Sequence, residues 1–135
     1  MFTVDVGLAI NPLGLETQIT GAVMDGIAQA LTYSLHLVDG HYLEGSWDNA
    51  YYTRQWNVPL DVEVILMPST RATPGGVGEF GVAPAMAATA CAYARATGSV
   101  PTSFPVNHAN RPAFEPLPTV PSIPPSPTDG LRKAF

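Results

Sequence analysis

The sequence predicts a small α/β (α+β) domain in which two helices pack on a small mixed sheet, followed by an extended proline-rich tail. Three observations support this fold class. Apolar residues recur at four-residue intervals early in the chain, alanine dominates one later stretch, and nine of the last thirty-five residues are proline. The folded part is therefore expected to comprise about a hundred residues, which is enough for one modest core.

The first predicted elements are a strand and a long helix. Residues 2–6 are of β-favouring types and end at Gly7, which indicates a strand. Asn11 suits a helix N-cap and Pro12 suits the first helical position, so we expect a helix over residues 12–36. Its apolar stripe consists of Leu15, Ile19, Val23, Ile27, Leu31 and Leu35. The glycines of this helix favour close approach by a backbone or a ligand, because alanine would stabilise each position by about 1 kcal/mol.

The middle of the chain predicts a hairpin, an aromatic segment and a further strand. Asp39-Gly40 separates two short β-favouring runs, and Asp-Gly is a strong signal for a two-residue hairpin turn. Residues 47–56 hold aromatic side chains without a clear period, which indicates a loop or an irregular edge strand. Residues 60–67 alternate and then become wholly apolar, as in a strand with an interior end.

A glycine-rich loop at residues 74–81 precedes the second predicted helix, which spans residues 84–97. Gly98 follows it, and glycine is the residue type that most often terminates a helix. The alanine-rich sequence of this helix permits very close packing against a neighbour. The proline-rich sequence beyond residue 101 can only be extended, and its spaced apolar residues favour binding along a partner.

Composition restricts the classes of function. Charged residues make up 13% of the chain, about half the ordinary share, which favours a surface that another protein covers. The net charge of −5 and the scattered basic residues argue against a nucleic-acid partner. We expect no membrane span and no signal peptide, because no apolar run approaches the roughly 18 residues of a span and the start lacks a basic region.

The glycine-rich loop contains Gly76-x-Gly78-x-x-Gly81, which matches the dinucleotide-binding fingerprint. That fingerprint requires an acidic residue about twenty positions later, and residues 96–106 contain none. It also requires a following parallel strand, whereas this helix leads into proline-rich sequence. We therefore interpret the match as a coincidence.

Glu79 comes just before the second helix, and two interpretations of it are open. A carboxylate at this place stabilises a helix N-terminus by about 0.3–1 kcal/mol. Alternatively, the loop presents Glu79 to a pocket as a general base. In that role burial has to raise the pKa of the carboxyl group against the opposing effect of the helix terminus.

Gln18 lies on the first helix with a glycine one turn away. Its amide is either an ordinary exposed group or a hydrogen-bonding partner for a polar ligand on bare helix surface. The histidines His36, His41 and His108 lack metal-ligand spacing, so no protein-ligated metal is expected. Cys91, in the alanine-rich helix, is expected in the core rather than as a nucleophile.

Two stretches resemble the large, molybdopterin-binding subunit of the xanthine dehydrogenase and aldehyde oxidase family. The family's helix with the pattern D-x-G-x-x-x-N-P and then Q-x-x-G is similar to VDVGLAINPLGLETQITGAVMDGIAQAL. The family's G-V-G-E loop and alanine-rich helix are similar to PGGVGEFGVAPAMAATACAYARATG. Gly-Gly before Val-Gly-Glu is typical of the isoquinoline 1-oxidoreductase β-subunit type. The resemblance makes residues 1–107 the C-terminal part of a molybdopterin-binding domain and residues 108–135 the tail.

The resemblance implies a molybdenum-dependent oxidoreductase that oxidises aldehydes or N-heterocycles with water as the oxygen source. Glu79 would be the catalytic base that deprotonates the hydroxyl group on molybdenum. Gln18, Gly76, Val77 and Gly78 fall on positions of the family that border the molybdopterin, which is often a cytosine dinucleotide. In such a site an organic cofactor holds the metal, in agreement with the lack of protein ligands.

Family subunits run to several hundred residues, and this chain resembles only their last portion. We therefore expect a split subunit or a fragment that is inactive alone. It would act beside the remaining molybdenum-binding chain and an iron–sulfur subunit with [2Fe–2S] clusters. A non-catalytic assembly subunit and a small binding module that uses the proline tail are the alternatives. A single cysteine and no signal leave a cytoplasmic or a periplasmic location open.

Overall fold

The computed structural model describes residues 1–45, 47, 50–53, 57–69 and 71–109. The elements in these residues are β1 Phe2–Val4, α1 Pro12–Leu31, β2 Leu37–Val38, β3 His41–Tyr42, β4 Val64–Leu66 and α2 Val82–Thr97. The predicted α+β class, with two helices and a small number of strands, is confirmed. The strands form two separate pairs, one parallel and one antiparallel, instead of a single mixed sheet.

The described residues belong to two compact units. The larger unit comprises residues 1–34 and the described part of residues 51–110, and it contains both helices and the β1–β4 pair. The smaller unit comprises the described part of residues 35–50 and contains the β2–β3 hairpin. Most of the predicted tail, residues 110–135, lies outside the described residues, as do residues 54–56 of the aromatic segment.

Helix α1 begins as the sequence predicts. The side chain of Asn11 accepts a hydrogen bond from the N–H of Gly14 at 3.0 Å. Pro12 occupies the first helical position, where its missing N–H has no intrahelical acceptor. The N-cap assignment from sequence is therefore confirmed.

Helix α1 ends at Leu31 rather than at residue 36. The N–H groups of Val106 and Asn107 donate to the carbonyl groups of Ala30 and Leu31, each at 2.9 Å. These carbonyl groups would otherwise accept hydrogen bonds from the next helical turn. A distant turn of the chain thus takes the place of the last predicted residues of the helix.

Helix α2 begins at Val82, two positions before the predicted start at Pro84. Proline is tolerated there because the first turn of a helix leaves its N–H groups without intrahelical acceptors. The helix ends at Thr97, and the C-cap residue Gly98 adopts a left-handed conformation with φ 73°. The predicted C-terminal glycine is confirmed.

The two helices approach each other closely at Gly26. A Cβ atom at this position would lie 2.6 Å from the carbonyl oxygen of Val82 and 2.9 Å from the backbone nitrogen of Met86. The close approach expected from the glycines of α1 is therefore present here. It does not hold at Gly21, where a Cβ atom would meet nothing within 4 Å.

Strands β1 and β4 pair in parallel over three positions, from Phe2 opposite Val64 to Val4 opposite Leu66. Both are shorter than predicted, because the flanking residues leave the ladder. The apolar face of α1 packs on this pair, and the buried cluster consists of Val4, Val6, Leu15 and Ile19. The core of the larger unit is therefore small.

The predicted Asp-Gly hairpin is confirmed in the smaller unit. Leu37 pairs with Tyr42 and Val38 with His41. Between them Asp39 has φ 49° and Gly40 has φ 78°, both in the left-handed region that two-residue hairpin turns require.

Candidate functional site

A hydrogen bond joins the middle of α1 to the glycine-rich loop. The side-chain Nε2 of Gln18 donates to the backbone carbonyl of Gly78 at 3.0 Å, although 60 positions separate the two residues. The Gln18 amide therefore has a partner within the chain while its side chain remains exposed. This contact brings together two of the predicted site residues and holds the loop beside α1.

The start of the loop is anchored to the segment that follows β1. Gly7 and Pro74 form an isolated antiparallel bridge. The N–H of Gly75 donates to the carbonyl oxygen of Val6 at 2.7 Å. A Cβ atom at Gly75 would lie 2.8 Å from the same oxygen, so the close approach requires glycine.

The middle of the loop, at Gly76 and Gly78, is open. A Cβ atom at Gly76 or at Gly78 would meet nothing within 4 Å, and both residues are exposed. Val77 between them is half-buried and packs against the apolar core. One apolar side chain and the Gln18 amide thus hold the loop, while its glycine backbone faces free space where a ligand can approach closely.

Two cavities border this loop. One of about 340 Å³ is lined by Gln18 and Val77, by the first turns of α1 and by the segment after β1. The other, of about 280 Å³, is lined by Gly76 and by the charged side chains of Asp5 and Arg71. The first lies near the lower end of the range of roughly 300–1,000 Å³ that small-molecule sites occupy.

Glu79 lies on the walls of neither cavity. Its side chain is exposed, and within the described part of the chain its carboxylate has no hydrogen-bond or ion-pair partner. Its backbone carbonyl accepts a hydrogen bond from the N–H of Val82 at 2.9 Å, at the start of α2. The carboxylate is therefore uncommitted, and its role as a catalytic base stays a prediction that requires another surface to enclose it.

Sequence reasoning missed an ion pair in the smaller unit. Glu44 accepts hydrogen bonds from the backbone N–H of His36 at 2.7 Å and from its Nδ1 at 2.6 Å. Burial raises the pKa of Glu44, but the hydrogen bonds from His36 outweigh burial and hold this pKa below its ordinary value. The position of both residues beside the Asp39-Gly40 turn was the signal that could have identified the pair.

A second missed contact lies in the larger unit. Ser34 and His108 are hydrogen-bonded through Oγ and Nδ1 across 74 positions of sequence. The contact adjoins the turn at Val106 and Asn107 that covers the end of α1. Its position indicates that it supports this turn.

Cys91 is exposed, so the prediction that it belongs to the core is wrong. Of the sixteen residues of α2, Ala85 is the buried one. Alanine and cysteine are compatible with burial, but the described part of the chain supplies no element that covers most of this helix.

The described residues can also be compared with the requirements of a metal site, a membrane span and a dinucleotide-binding unit. Within the described residues, no group of three His, Cys, Asp or Glu side chains is placed to hold a metal ion. Neither helix of that part of the chain has the length and apolar character needed to cross a membrane. Residues 99–109, which follow α2, form no strand.

No model of a known protein family matches the chain, and no curated protein matches it. The resemblance to the xanthine dehydrogenase family therefore rests on the residues of the two stretches quoted above and stays a prediction.

Proposed function

We propose that the chain is a component of a multi-chain molybdenum hydroxylase that oxidises aldehydes or N-heterocycles with water as the oxygen source. Its partners are the remaining molybdenum-binding chain and an iron–sulfur subunit. The hydrogen bond between Gln18 and Gly78 carries the proposal. It connects the two stretches that resemble the family, and it sets bare loop backbone beside a cavity.

The open loop fits the edge of an organic cofactor. Gly76 and Gly78 leave free space next to their backbone, and Gln18 and Val77 line the adjoining cavity. In the proposal these four residues border the molybdopterin. When bound, the cofactor supplies the metal that accepts two electrons from the substrate. Because the cavity is only about 340 Å³, a second chain has to hold most of the cofactor.

Glu79 acts in this proposal by accepting a proton at its carboxylate. The lack of a bonding partner in the described residues supports this role, because no contact has to be broken before the proton is accepted. The exposure of the side chain requires a partner surface over the loop. Such a surface would exclude water from the proton transfer, as catalytic sites commonly do.

The test is Glu79→Gln in the assembled complex. The variant keeps the size of the side chain but cannot accept the proton. We expect the steady-state rate of substrate oxidation to fall by about 10²–10⁴-fold, the range for loss of general base catalysis. The molybdenum content per complex should stay unchanged. Glu16→Gln, which changes an exposed glutamate on α1, is the matched control and should retain the full rate.

A non-catalytic assembly subunit is the second candidate, and exposed apolar side chains favour it. Leu13 is 76% exposed and Leu60 is fully exposed, as expected of surfaces that another chain covers. For this candidate Glu79→Gln leaves the rate of the complex unchanged. A small binding module that uses the proline tail is the third, and that tail lies mostly outside the described residues. Native mass spectrometry that finds a solitary chain without molybdenum would contradict the first two.

A further inference from the structure

A groove in the larger unit runs along β1 and is also lined by Pro59, Asp61 and Val62, which lead into β4. Its volume is about 680 Å³. Residues 1–5 form one wall, and α2 forms the opposite wall with Ala85 and Ala88. Val23 and Ile27 of α1 contribute apolar side chains between them. The groove is therefore bordered by a whole strand, by the segment that leads into β4 and by two helices.

The backbone of β1 presents unused hydrogen-bonding groups at its edge away from β4. The N–H of Phe2 donates to the carbonyl of Glu63 at 2.7 Å, and the carbonyl of Val4 accepts from the N–H of Met67 at 2.8 Å. Alternate residues of a strand direct their N–H and C=O groups to opposite sides, so those of Thr3 point away from β4. No described residue bonds to them, and Thr3 is exposed.

The β1–β4 pair is too narrow to support both helices. Neighbouring strands lie about 4.8 Å apart, whereas the axes of two packed helices lie about 8–10 Å apart. Two strands therefore support about one helix. Since α2 packs against α1 at Gly26, we expect it to extend beyond the edge of the pair, which agrees with Ala85 being its one buried residue. A third strand beside β1 would fill the groove and cover the alanines of α2.

We infer that the free edge of β1 binds a β-strand of a second polypeptide, which adds to the sheet as a third strand. The backbone groups of Thr3 pair with it, and its alternating apolar side chains pack on Val23 and Ala88. The charged side chains on the groove walls are Asp5 and Asp61, so the bound strand carries lysine or arginine. This interaction does not depend on the proposed role of Glu79.

The probe is the peptide acetyl-Lys-Val-Thr-Val-Thr-Val-Lys-amide, and the readouts are its affinity and the amide exchange of the full chain by NMR. At saturation we expect exchange at the Thr3 amide to slow by at least about tenfold, because the amide gains a hydrogen bond. Thr3→Pro removes this N–H but preserves the β1–β4 pair, since proline is tolerated where an edge strand faces outward. It should weaken binding by about tenfold, whereas Thr3→Val should not.

Three results would overturn the inference. The first is unchanged exchange at Thr3 with the peptide in large excess. The second is equal affinity of the peptide for Thr3→Pro and Thr3→Val. The third is protection of the Thr3 amide that rises with protein concentration in the absence of peptide, which would assign the groove to a second copy of this chain. A peptide with glutamate in place of both lysines should bind more weakly if Asp5 and Asp61 select a basic strand.

Discussion

Gly26 at the helix crossing and Gly76 in the loop both lack a Cβ atom, but one is closely packed and the other faces open space. At Gly26 a Cβ atom would meet the carbonyl oxygen of Val82 at 2.6 Å, whereas at Gly76 it would meet nothing within 4 Å. The chain's own packing closes the first region and leaves the second open. The glycine of the crossing serves the fold, whereas Gly76 and Gly78 leave the backbone of the loop open.

The largest expected effect is at the closed region. In Gly26→Ala the added methyl group meets backbone atoms of α2, which cannot move aside as a flexible side chain can. We expect the free energy of unfolding to fall by about 1–3 kcal/mol, the usual cost of overpacking. Urea denaturation followed by circular dichroism measures it.

Gly21→Ala on the same helix is the matched control. A Cβ atom there meets nothing within 4 Å, so the higher helix propensity of alanine should raise the free energy of unfolding by up to about 1 kcal/mol. If both variants shift stability in the same direction, the contrast between closed and open glycines is incorrect.

Two carboxylates show the same contrast. The Glu44 carboxylate accepts two hydrogen bonds from His36, whereas the Glu79 carboxylate accepts none from the residues that the structure describes. The pKa of Glu44 lies below its ordinary value, so its carboxylate stabilises the hairpin above the ordinary titration range of glutamate. This stabilisation is lost as the pH falls through the lowered pKa, at a cost of about 1 kcal/mol. The Leu43 amide donates to the carbonyl of His36 at 2.9 Å. Its hydrogen-exchange protection factor therefore measures how often the hairpin opens.

Glu44→Gln is the control for the pH effect. Glutamine has a similar shape but no titrating carboxyl group. The protection factor of the variant should therefore be lower than that of the wild type at neutral pH, and it should not change as the pH is lowered into the acidic range. A wild-type hairpin whose protection factor is constant through that acidic range would contradict the assignment of Glu44 as a structural carboxylate.

The smallest expected effect is at the open loop. Gly76→Ala should change the free energy of unfolding by no more than about 0.5 kcal/mol, because the methyl group enters free space. In the assembled complex the same variant should lower the molybdenum content, since that space is where the cofactor is proposed to lie. A large loss of stability in the isolated chain would mean that the loop is packed rather than open.

The sequence predicted those helix ends and turns that depend only on residues close by in the chain. Asn11 and Pro12 identified the start of α1, Gly98 identified the end of α2, and Asp39-Gly40 identified the hairpin. Each rests on backbone chemistry within a few positions, so sequence alone suffices.

Features that depend on distant residues were not predictable in the same way. The end of α1 is determined by Val106 and Asn107, which no local pattern connects to that helix. Burial of Cys91 depends on what covers α2, not on its residue type. Gln18 and the loop were identified separately as candidates, but only the fold brings Gln18 to Gly78.

The turn at Val106 and Asn107 donates its two N–H groups to the final carbonyls of α1. The last described residues, 108 and 109, therefore continue from a turn that is held at the C-terminal end of that helix. A pulling force applied at residue 109 would load these two hydrogen bonds and the contact between Ser34 and His108 before it reached the β1–β4 pair. Under tension we expect α1 to fray from its C-terminal end while the strands stay paired.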